Sequence, residues 1–541
     1  MISSQNNIII SKTLSYRPSK QLTSVNLCII TLVSLVTISS LLVTSVDCDV
    51  FSSTAHLRSL MYLERHLIHT LNDYVKQVQR KLGEVKKYVD EFTQTAGRPE
   101  YSGQEESDAI IGNPIQAFQL VKRLTVDWTD LQKTLSDDGW DKVQQLIDEY
   151  QELLPTKEDL RGAALALVRL TDTYMLNMSD ISRGNIFDLH TKVYLSARDC
   201  LYLAKHSFNN GYYGQSIEWF QQALQKAQLE GNRTAPIEEI IPFYNMALQI
   251  HDDLSPSFWS NVSMILNATK PPHTMRFVDG DNDDYRDYQA LCRGEVARTP
   301  FETKDLNCYY SNMDSKWLIL QPVKVEVHYQ KPFIAIFHDL MTDKESDAIR
   351  DMAAPMLTRA RVQTDCARDD EVSDTRTSQT TWFSEDEHEL IARINRRVSE
   401  VTGLSTIMHL SHSELMQVAN YGMGGHYTPH YDYLIVDRPP EERHLVPERE
   451  AYAGDRTATL MFYLSDVIKG GGTVFPRLGV ALTPNKNSAA FWFNLRRNGE
   501  AFEDTIHGAC PVLVGEKWVA NHWIREIGQT FRRKCTLNPE D

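Results

Sequence analysis

The stretch Thr428–Tyr433, which reads TPHYDY, decides how the C-terminal half of this chain must fold. It places His430 two residues before Asp432. On a strand, residues two apart point to the same face, so extended backbone would bring both side chains to one spot. The chain has 17 histidines, and about one His-x-Asp pair is expected by chance. The sequence around the pair must therefore decide whether it is a metal site.

A second His-x-Asp pair, His251 and Asp253, provides the comparison. It lies in a stretch of helical periodicity, and on a helix residues two apart point to different faces. His430 and Asp432 lie instead among short β-rich runs, between the glycine-rich segments NYGMGGHYTP and IKGGGTVFPRLG. The sequence therefore predicts metal ligands at His430 and Asp432, and a chance match at His251 and Asp253.

The segment DTIHGACPVLVGEKWVANHWI, residues 504–524, supplies a third candidate ligand in His507, near the start of a strand. Gly515 and Glu516 read as a two-residue hairpin turn. After the turn, period two places four residues on one face and His522 on the other; the four are Lys517, Val519, Asn521 and Trp523. On such a face, Lys517 either lies at a strand end in water or faces an anionic ligand. Two histidines and one carboxylate form the facial triad of non-haem Fe(II) oxygenases, which leaves three coordination positions open.

Length and charge set the class of protein. A chain of 541 residues is too long for one core, so we expect two to four domains. The net charge of −16 argues against a nucleic-acid partner, because such proteins need basic surfaces.

The N-terminus predicts entry into the secretory route. Val25–Val46 is apolar and uncharged, and three basic residues precede it; they are Lys12, Arg17 and Lys20. We interpret residues 1–45 as a signal peptide that is cleaved after Ser45, in preference to an uncleaved membrane anchor. No stable membrane insertion is therefore expected. Four glycosylation sequons agree with this route, at Asn177, Asn232, Asn261 and Asn267. The C-terminal NPED is not a retention signal, so either the uncleaved anchor or a bound partner would have to hold the chain in the endoplasmic reticulum lumen.

Residues 46–185 are predicted to form a helical dimerisation domain. Apolar residues recur at three- and four-residue steps, at Leu60, Leu63, Leu67, Leu71, Val75, Val78, Leu82, Val85, Val89 and Phe92. This seam fits a coiled coil that joins two chains, and equally well an amphipathic helix that packs on its own domain.

Residues 186–268 are predicted to form a tetratricopeptide-like domain that binds a peptide substrate. The segment LAKHSFNNGYYGQSIEWFQQAL matches the consensus of that repeat in the spacing of its small and apolar residues. Tyr212, Tyr213 and Phe243 would present aromatic rings to an extended proline-rich peptide. Residues 269–316, which are Pro-rich and then acidic, read as a linker, and residues 317–541 as an all-β catalytic domain of about eight strands.

Four motifs identify a resemblance to the collagen prolyl 4-hydroxylase α subunit: QVANYGMGGHYTPHYDY, GGGTVFP, HGACPVLVGEKWVANHW and FRRKCTL. It is strong over about residues 410–537 and looser in the helical half. The resemblance implies a double-stranded β-helix (jelly-roll) catalytic domain and an Fe(II)/2-oxoglutarate dioxygenase that hydroxylates C4 of proline in X-Pro-Gly repeats. It also implies ascorbate as a reductant, and protein disulfide isomerase as the β subunit of an α2β2 tetramer.

The resemblance assigns roles to individual residues. His430, Asp432 and His507 fall on the iron ligands, and Lys517 on the residue that binds the C5 carboxylate of 2-oxoglutarate. Tyr421 and Trp523 would line the same pocket. The family's disulfides would join Cys292 to Cys308 in the linker and Cys510 to Cys535 near the C-terminus.

Two other functions remain open at this point. Lysyl hydroxylases use the same triad, but they typically carry arginine where Lys517 stands and lack a tetratricopeptide-like module. A catalytically silent scaffold that binds collagen-like peptides is the second alternative, although the four key residues are intact.

Overall fold

The computed structural model describes residues 52–77, 85–86, 88–90, 112–135, 141–151, 154–266, 283–295, 298–362, 371–372, 375–436, 438 and 446–538. The apolar stretch Val25–Val46 and the sequon at Asn267 lie outside these ranges. Within the described residues, no helix has the length and the apolar content that a membrane span requires.

The N-terminal region is helical. Its helices are α1 (Thr54–Gln77), α2 (Pro114–Lys122), α3 (Trp128–Leu135), α4 (Asp141–Glu149), α5 (Lys157–Thr173), α6 (Met178–Ser182), α7 (Ala197–Asn209), α8 (Tyr213–Glu230) and α9 (Ile237–Leu266). A short π-helical turn, Arg123–Asp127, joins α2 to α3, and a two-stranded sheet of β1 (Asn185–Ile186) and β2 (Leu189–His190) follows α6. Pro114 occupies the first turn of α2, where its missing N–H costs no hydrogen bond.

Helix starts in this region are set by short polar side chains. Thr156 and Asp159 form a reciprocal capping box at the start of α5. Ser196 and Asp199 do the same for α7. Gly211, in the turn between α7 and α8, has φ of 78°, a left-handed conformation that glycine adopts without a steric penalty.

The apolar seam of α1 is buried in the core of its own chain. Leu60, Leu63, Leu67 and Leu71 are each less than a tenth exposed, and they belong to the cluster that holds the helical region together. These leucines therefore have no free surface for a second chain, and the structure favours the amphipathic-helix interpretation over the coiled coil. The seam positions Val78, Leu82 and Phe92 lie outside the described residues.

The predicted linker also contains a helix that packs on the catalytic region. Helix α10 (Asp283–Cys292) places Tyr288, which is 1% exposed, against Gly508, and the Tyr288 hydroxyl donates to the carbonyl of Ala509 at 2.9 Å. A short helix, α11 (Pro300–Thr303), follows.

The predicted disulfides are wrong in this structure. Cys292 bonds to Cys510, while Cys308 and Cys535 are free and exposed. The physical reason is that α10 lies against the strand that precedes Cys510. Cys308 instead lies on a strand at the edge of a different sheet, which spacing along the chain cannot reveal.

The C-terminal region is rich in antiparallel β-structure. Among the described residues, a nine-stranded sheet has the order β3-β4-β5-β16-β12-β19-β10-β9-β6. Its strands are β3 (Cys308–Ser311), β4 (Val323–Tyr329), β5 (Ile334–His338), β6 (Thr358–Arg359), β9 (Gln379–Phe383), β10 (Met416–Tyr421), β12 (Arg456–Tyr463), β16 (Ala489–Phe493) and β19 (Lys517–Arg525).

A four-stranded sheet has the order β11-β17-β14-β15, formed by β11 (Tyr427–His430), β14 (Thr473–Phe475), β15 (Val480–Leu482) and β17 (His507–Ala509). Two small sheets pair β7 (Arg361–Val362) with β8 (Glu371–Val372), and β13 (Lys469–Gly470) with β18 (Val512–Val514). Because β18 pairs with β13 and β19 pairs with β10 and β12, Gly515 and Glu516 link two sheets and do not form the predicted hairpin.

The β-rich half also contains helices. Helix α12 (Asp343–Ala353) starts with a capping box from Thr342, and α13 (Glu389–Thr402) ends at Gly403 in the left-handed conformation. A further short helix, α14 (Glu448–Ala453), precedes β12. His522 faces α13, where its Nε2 lies 2.8 Å from Oδ1 of Asn395, so it is on the opposite face from Lys517 as predicted.

The helical and β-rich regions share apolar core. Met423, Leu513 and Val514 of the β-rich half belong to the same buried cluster as the helices. The Tyr174 hydroxyl donates to the carbonyl of Pro511 at 2.6 Å, and Arg169 donates to the carbonyl of Gly424 at 3.1 Å. The helical half thus packs directly on the segments that flank β11 and β17, the strands that carry His430 and His507.

Candidate active site

Three side chains converge between the two large sheets, as the sequence predicts. The ligand atoms of His430, Asp432 and His507 all lie within 4.8 Å of one another. Asp432 carboxylate oxygens are 3.9 Å from Nε2 of His430 and 3.7 Å from Nε2 of His507. In the part of the chain that the structure describes, this is the one cluster of three such groups that could hold a metal ion.

Strand pairing brings the two histidines together. His430 ends β11 and His507 begins β17, and the two are directly opposed in the antiparallel register. We had expected Asp432 to lie on the same strand as His430. Instead, β11 ends at His430, and Asp432 follows in a bend. The bend still directs the carboxylate back toward both imidazoles.

Backbone carbonyls fix the orientation of both imidazoles. Nδ1 of His430 lies 2.9 Å from the carbonyl of Thr428, and Nδ1 of His507 lies 2.9 Å from the carbonyl of Thr505. A carbonyl oxygen only accepts, so each Nδ1 carries the proton and each Nε2 keeps a lone pair for a metal. The same arrangement, with a carbonyl two residues earlier, occurs at both ligands.

A second set of contacts orients Asp432. Thr459 donates to its Oδ2 at 2.6 Å, and Asn494 in turn donates to Thr459 at 2.9 Å. Arg456 donates to the Asp432 carbonyl at 3.2 Å and is held by a bidentate pair with Glu414, at 2.6 and 2.8 Å. Neither Thr459 nor Arg456 was predicted, since β12 lies more than twenty residues after the triad motif and no spacing rule points to it.

The charges in the site suit a divalent metal. Burial, assisted by His507, lowers the pKa of His430 to about 3, so this imidazole is neutral at physiological pH. Burial opposes ionisation of Asp432, but the polar groups around it, including Arg456 and the Thr459 hydroxyl, hold the pKa of the carboxyl below its usual value. Two imidazoles and one carboxylate are a donor set that fits Fe(II), whereas structural zinc sites favour thiolates.

Lys517 is a buried cation with no carboxylate partner among the described residues. It is 1% exposed, and its ammonium donates to Thr473 Oγ1 at 3.3 Å. Burial lowers the pKa of Lys517 to about 7. Because an unpaired ammonium is costly to bury, this position is suited to an anionic group of a ligand.

Both other residues predicted for the cosubstrate pocket lie in the same cavity. Tyr421 is opposite Lys517 in the register of β10 and β19, and the Lys517 ammonium is 5.6 Å from the centre of its ring. Trp523 lines the cavity with Val519 and Asn521 on the predicted face of β19. The full lining is Arg376, Tyr421, Tyr427, His430, Asp432, Met461, Thr473, Trp492, His507, Gly508, Ala509, Lys517, Val519, Asn521 and Trp523.

The sequence analysis did not predict two residues that line the cavity, Tyr427 and Arg376. Period two places Tyr427 on the opposite face from His430, yet its ring stacks on the His430 imidazole at 3.5 Å. A register irregularity between the two residues explains the difference, and Pro429 within it was the available signal. Arg376 reaches the cavity from the segment before β9, and its guanidinium lies 5.0 Å from the centre of the Tyr427 ring.

The comparison pair His251 and Asp253 lies on a helix, and the side chain of Asp253 is outside the described residues. His251 lies inside α9, 2% exposed, and its Nδ1 is 3.3 Å from Asp252. It belongs to no group of three metal-ligating residues among those described.

The predicted peptide-binding aromatics differ in exposure. Tyr212 is 5% exposed, immediately before α8, and Tyr213 packs edge-on against Phe208 at 5.2 Å. Phe243 is 36% exposed on α9, with the Lys205 ammonium 4.0 Å from its ring centre. Of the three, Phe243 offers the most free surface, while Tyr212 is mainly a core residue.

The described sequons are on the surface. Asn177 caps α6 through its side-chain oxygen, and Asn232 is exposed with φ of 60°. The side chain of Asn261 lies outside the described residues.

Two family models match this chain. One, described as the N-terminal region of the prolyl 4-hydroxylase alpha-subunit, matches residues 53–188. The other, the 2OG-Fe(II) oxygenase superfamily, matches residues 416–525, which include the triad and Lys517.

Curated relatives match over nearly the whole chain. Prolyl 4-hydroxylase subunit alpha-1 of Homo sapiens is 34% identical over 532 residues, which cover 90% of this chain and 96% of that protein. The Caenorhabditis elegans subunit alpha-1 is 32% identical over 526 residues, covering 91% of each. Among solved structures, the viral collagen prolyl hydroxylase of Paramecium Bursaria Chlorella virus-1, in its 2OG complex, is 29% identical and covers 36% of this chain and 95% of that one, with a TM-score of 0.28.

Proposed function

Because the chain belongs to the prolyl 4-hydroxylase α-subunit family, we propose that it hydroxylates C4 of proline in X-Pro-Gly sequences, with 2-oxoglutarate and O2, giving succinate and CO2. The observation that carries the proposal is the triad His430, Asp432 and His507 in one cavity with the unpaired ammonium of Lys517. A metal-binding triad alone fits many oxygenases. A buried cation in the same cavity adds the partner that a dicarboxylate needs.

Each residue then has a defined task. His430, Asp432 and His507 would hold Fe(II), which when bound supplies the oxidising chemistry and open positions for the 2-oxo acid and O2. Lys517 binds the far carboxylate of 2-oxoglutarate, and Thr473, which accepts from the Tyr463 hydroxyl at 3.0 Å, orients the ammonium. The buried walls around them keep water out of the site.

Peptide recognition in the helical region is the second part of the proposal. We propose that α7–α9 form a tetratricopeptide-like surface on which Phe243, and to a lesser degree Tyr213, contact a proline-rich peptide. Tyr212 would support this surface from the core, since its ring is buried. For the catalytic region, we propose the double-stranded β-helix as the finer description of its sheets.

The cellular setting is proposed on the family resemblance. It comprises ascorbate as the reductant, protein disulfide isomerase as the β subunit of an α2β2 tetramer, and the endoplasmic reticulum lumen as the location. Exposed sequons at Asn177 and Asn232 fit glycosylation in that compartment. Co-expression with and without protein disulfide isomerase, followed by size exclusion and activity assay, tests the assembly; a soluble, active, partner-free homodimer would contradict it.

Succinate release tests the reaction. The purified chain should release succinate with a Pro-Pro-Gly peptide, Fe(II), ascorbate and 2-oxoglutarate, and the peptide should gain 4-hydroxyproline by mass spectrometry. Release with a Lys-Gly peptide in its place would indicate a lysyl hydroxylase. Peptide binding without succinate from any substrate would indicate the scaffold.

A further inference from the structure

Trp382 is an exposed aromatic residue just outside the catalytic cavity. It lies on β9 and is 42% exposed, although large aromatic side chains are usually well buried. Its ring centre is 5.9 Å from that of Trp523, which lines the cavity, and the ring planes are inclined by 40°. Trp382 therefore extends the apolar wall of the cavity outward to solvent.

Strand register places Trp382 on the catalytic face of the nine-stranded sheet. It is opposite Gln417 on β10, which is opposite Asn521 on β19, and paired residues in a sheet share a face. Asn521 lines the cavity. Gln417 accepts hydrogen bonds from Arg376 at 2.8 Å and from Asn521 at 3.2 Å. The residue directly opposite Trp382 therefore contacts two residues that line the cavity.

The strand that carries Trp382 is anchored to the iron-ligand strand. Before β9, Thr377 and His426 exchange backbone hydrogen bonds at 2.9 and 3.2 Å, and Thr428 donates to the Thr375 carbonyl at 2.9 Å. Trp382 is thus held in a fixed position relative to His430. A rigid, exposed aromatic ring at a fixed distance from a reaction centre is suited to recognising part of the same substrate chain.

The spacing of the two rings sets which substrate residue would reach Trp382 when the reacting proline lies against Trp523, which lines the cavity of the triad. A polyproline II chain advances about 3.1 Å per residue, so the 5.9 Å between the ring centres of Trp523 and Trp382 corresponds to about two residues. In an X-Pro-Gly repeat, the residue two positions before the reacting proline is glycine, which has no side chain to stack. Two positions after it is the X residue of the next triplet, often a proline.

We infer that Trp382 forms a second subsite, which binds the ring of the X-position proline in the triplet that follows the reacting proline. The inference rests on the proposed function and makes it more specific. It predicts that the catalytic region contacts two consecutive X-Pro-Gly triplets of the substrate. This contact does not depend on peptide binding to the helical surface formed by α7–α9.

Two seven-residue peptides and two variants test this subsite. One peptide, acetyl-Gly-Pro-Pro-Gly-Pro-Ala-Gly-amide, has a proline two positions after its single reactive proline; the second has alanine there. With the full chain and its partner, Trp382→Ala should raise the KM for the first peptide about fivefold. It should leave the KM for the alanine peptide and for 2-oxoglutarate unchanged, and Trp382→Phe should restore part of the discrimination.

Trp317→Ala is the matched control, because Trp317 is 71% exposed in the catalytic half but does not line the cavity. It should leave the KM for both peptides as in the wild type. An equal rise for both peptides in Trp382→Ala, or no rise for either, would overturn the subsite. Wild-type enzyme that releases no succinate with any proline peptide would instead overturn the proposed function.

Discussion

Thr54, the first residue of α1, donates its backbone N–H to Oδ1 of Asn420 at 2.9 Å, across 366 residues of sequence. Its hydroxyl also donates to Glu516, the residue before Lys517. The start of the helical region is thereby fixed to β10, which carries Tyr421, and to the residue that precedes Lys517 at the start of β19. The helical region thus contributes directly to the support of the cosubstrate pocket.

Thr54→Val should weaken this support without removing a catalytic group. The isosteric change deletes the hydroxyl donor and leaves Glu516 with one fewer hydrogen bond, which costs about 1 kcal/mol of unfolding free energy. We expect the KM for 2-oxoglutarate to rise about twofold to fivefold, with the peptide KM unchanged. Thr54→Ser should behave as wild type, and Thr70→Val is the control, because the Thr70 hydroxyl donates to the His66 carbonyl of the same helix. A Thr54→Val enzyme with wild-type stability and KM would show that the contact is dispensable.

Alanine at His430, Asp432 or His507 should abolish turnover while the fold survives. These side chains lie in a preformed pocket between two sheets, so they contribute to iron binding more than to the core. Bound iron after dialysis and succinate release are the two measurements. His409→Ala is the control because that side chain is 65% exposed. Loss of activity in the control with activity retained in the His430 variant would mean that the wrong residues were chosen.

Lys517→Ala should raise the KM for 2-oxoglutarate far more than that for peptide. The lost contact is a charge-assisted pair in a buried site, worth roughly 2–4 kcal/mol, or about 30-fold to 1000-fold in KM. Lys517→Arg should recover part of the affinity, since arginine keeps the charge in a bulkier shape. Lys324→Ala, which removes an exposed lysine, is the control. An unchanged KM for 2-oxoglutarate in the alanine variant would place Lys517 outside the pocket.

The same residue predicts a pH dependence of stability in the absence of ligands. Burial lowers the pKa of Lys517 to about 7, against about 10.4 when unfolded, so the unfolded chain binds the extra proton between these values. Stability of the wild type relative to Lys517→Met should therefore rise with pH over this window, by about 1.4 kcal/mol per unit. Denaturant unfolding of both proteins at pH 7, 8, 9 and 10 measures it. A constant difference would show that the ammonium is not desolvated.

Non-reducing peptide mapping should find Cys292 joined to Cys510. The bond closes a loop of more than 200 residues, so Cys292→Ser should lower the unfolding free energy by about 2–5 kcal/mol. Cys308→Ser should have little effect, because that thiol is free and exposed. Recovery of Cys292–Cys308 and Cys510–Cys535 peptides would support the pairing implied by the family.

The sequence by itself determined which side chains share one face of a strand. Period two along a strand was enough to place Lys517, Val519, Asn521 and Trp523 on one face and His522 on the other. The helical periodicity around His251 was enough to place that residue on a helix. These results depend only on local backbone geometry, which repeats over a few residues. Helix boundaries also depend on local sequence: Thr342 caps the start of α12, and Gly403 ends α13.

Only the tertiary structure decided which distant segments meet. The burial of the α1 seam in its own chain, the partner of Cys292, the entry of Arg376 into the cavity and the contact of Thr54 with Asn420 all join residues far apart in sequence. Sequence periodicity also fails at short range for Tyr427. One register irregularity in β11 places its side chain on the opposite face from the one that period two predicts. The physical reason is that such contacts arise from the packing of whole sheets and helices, which no repeat of two or 3.6 residues encodes.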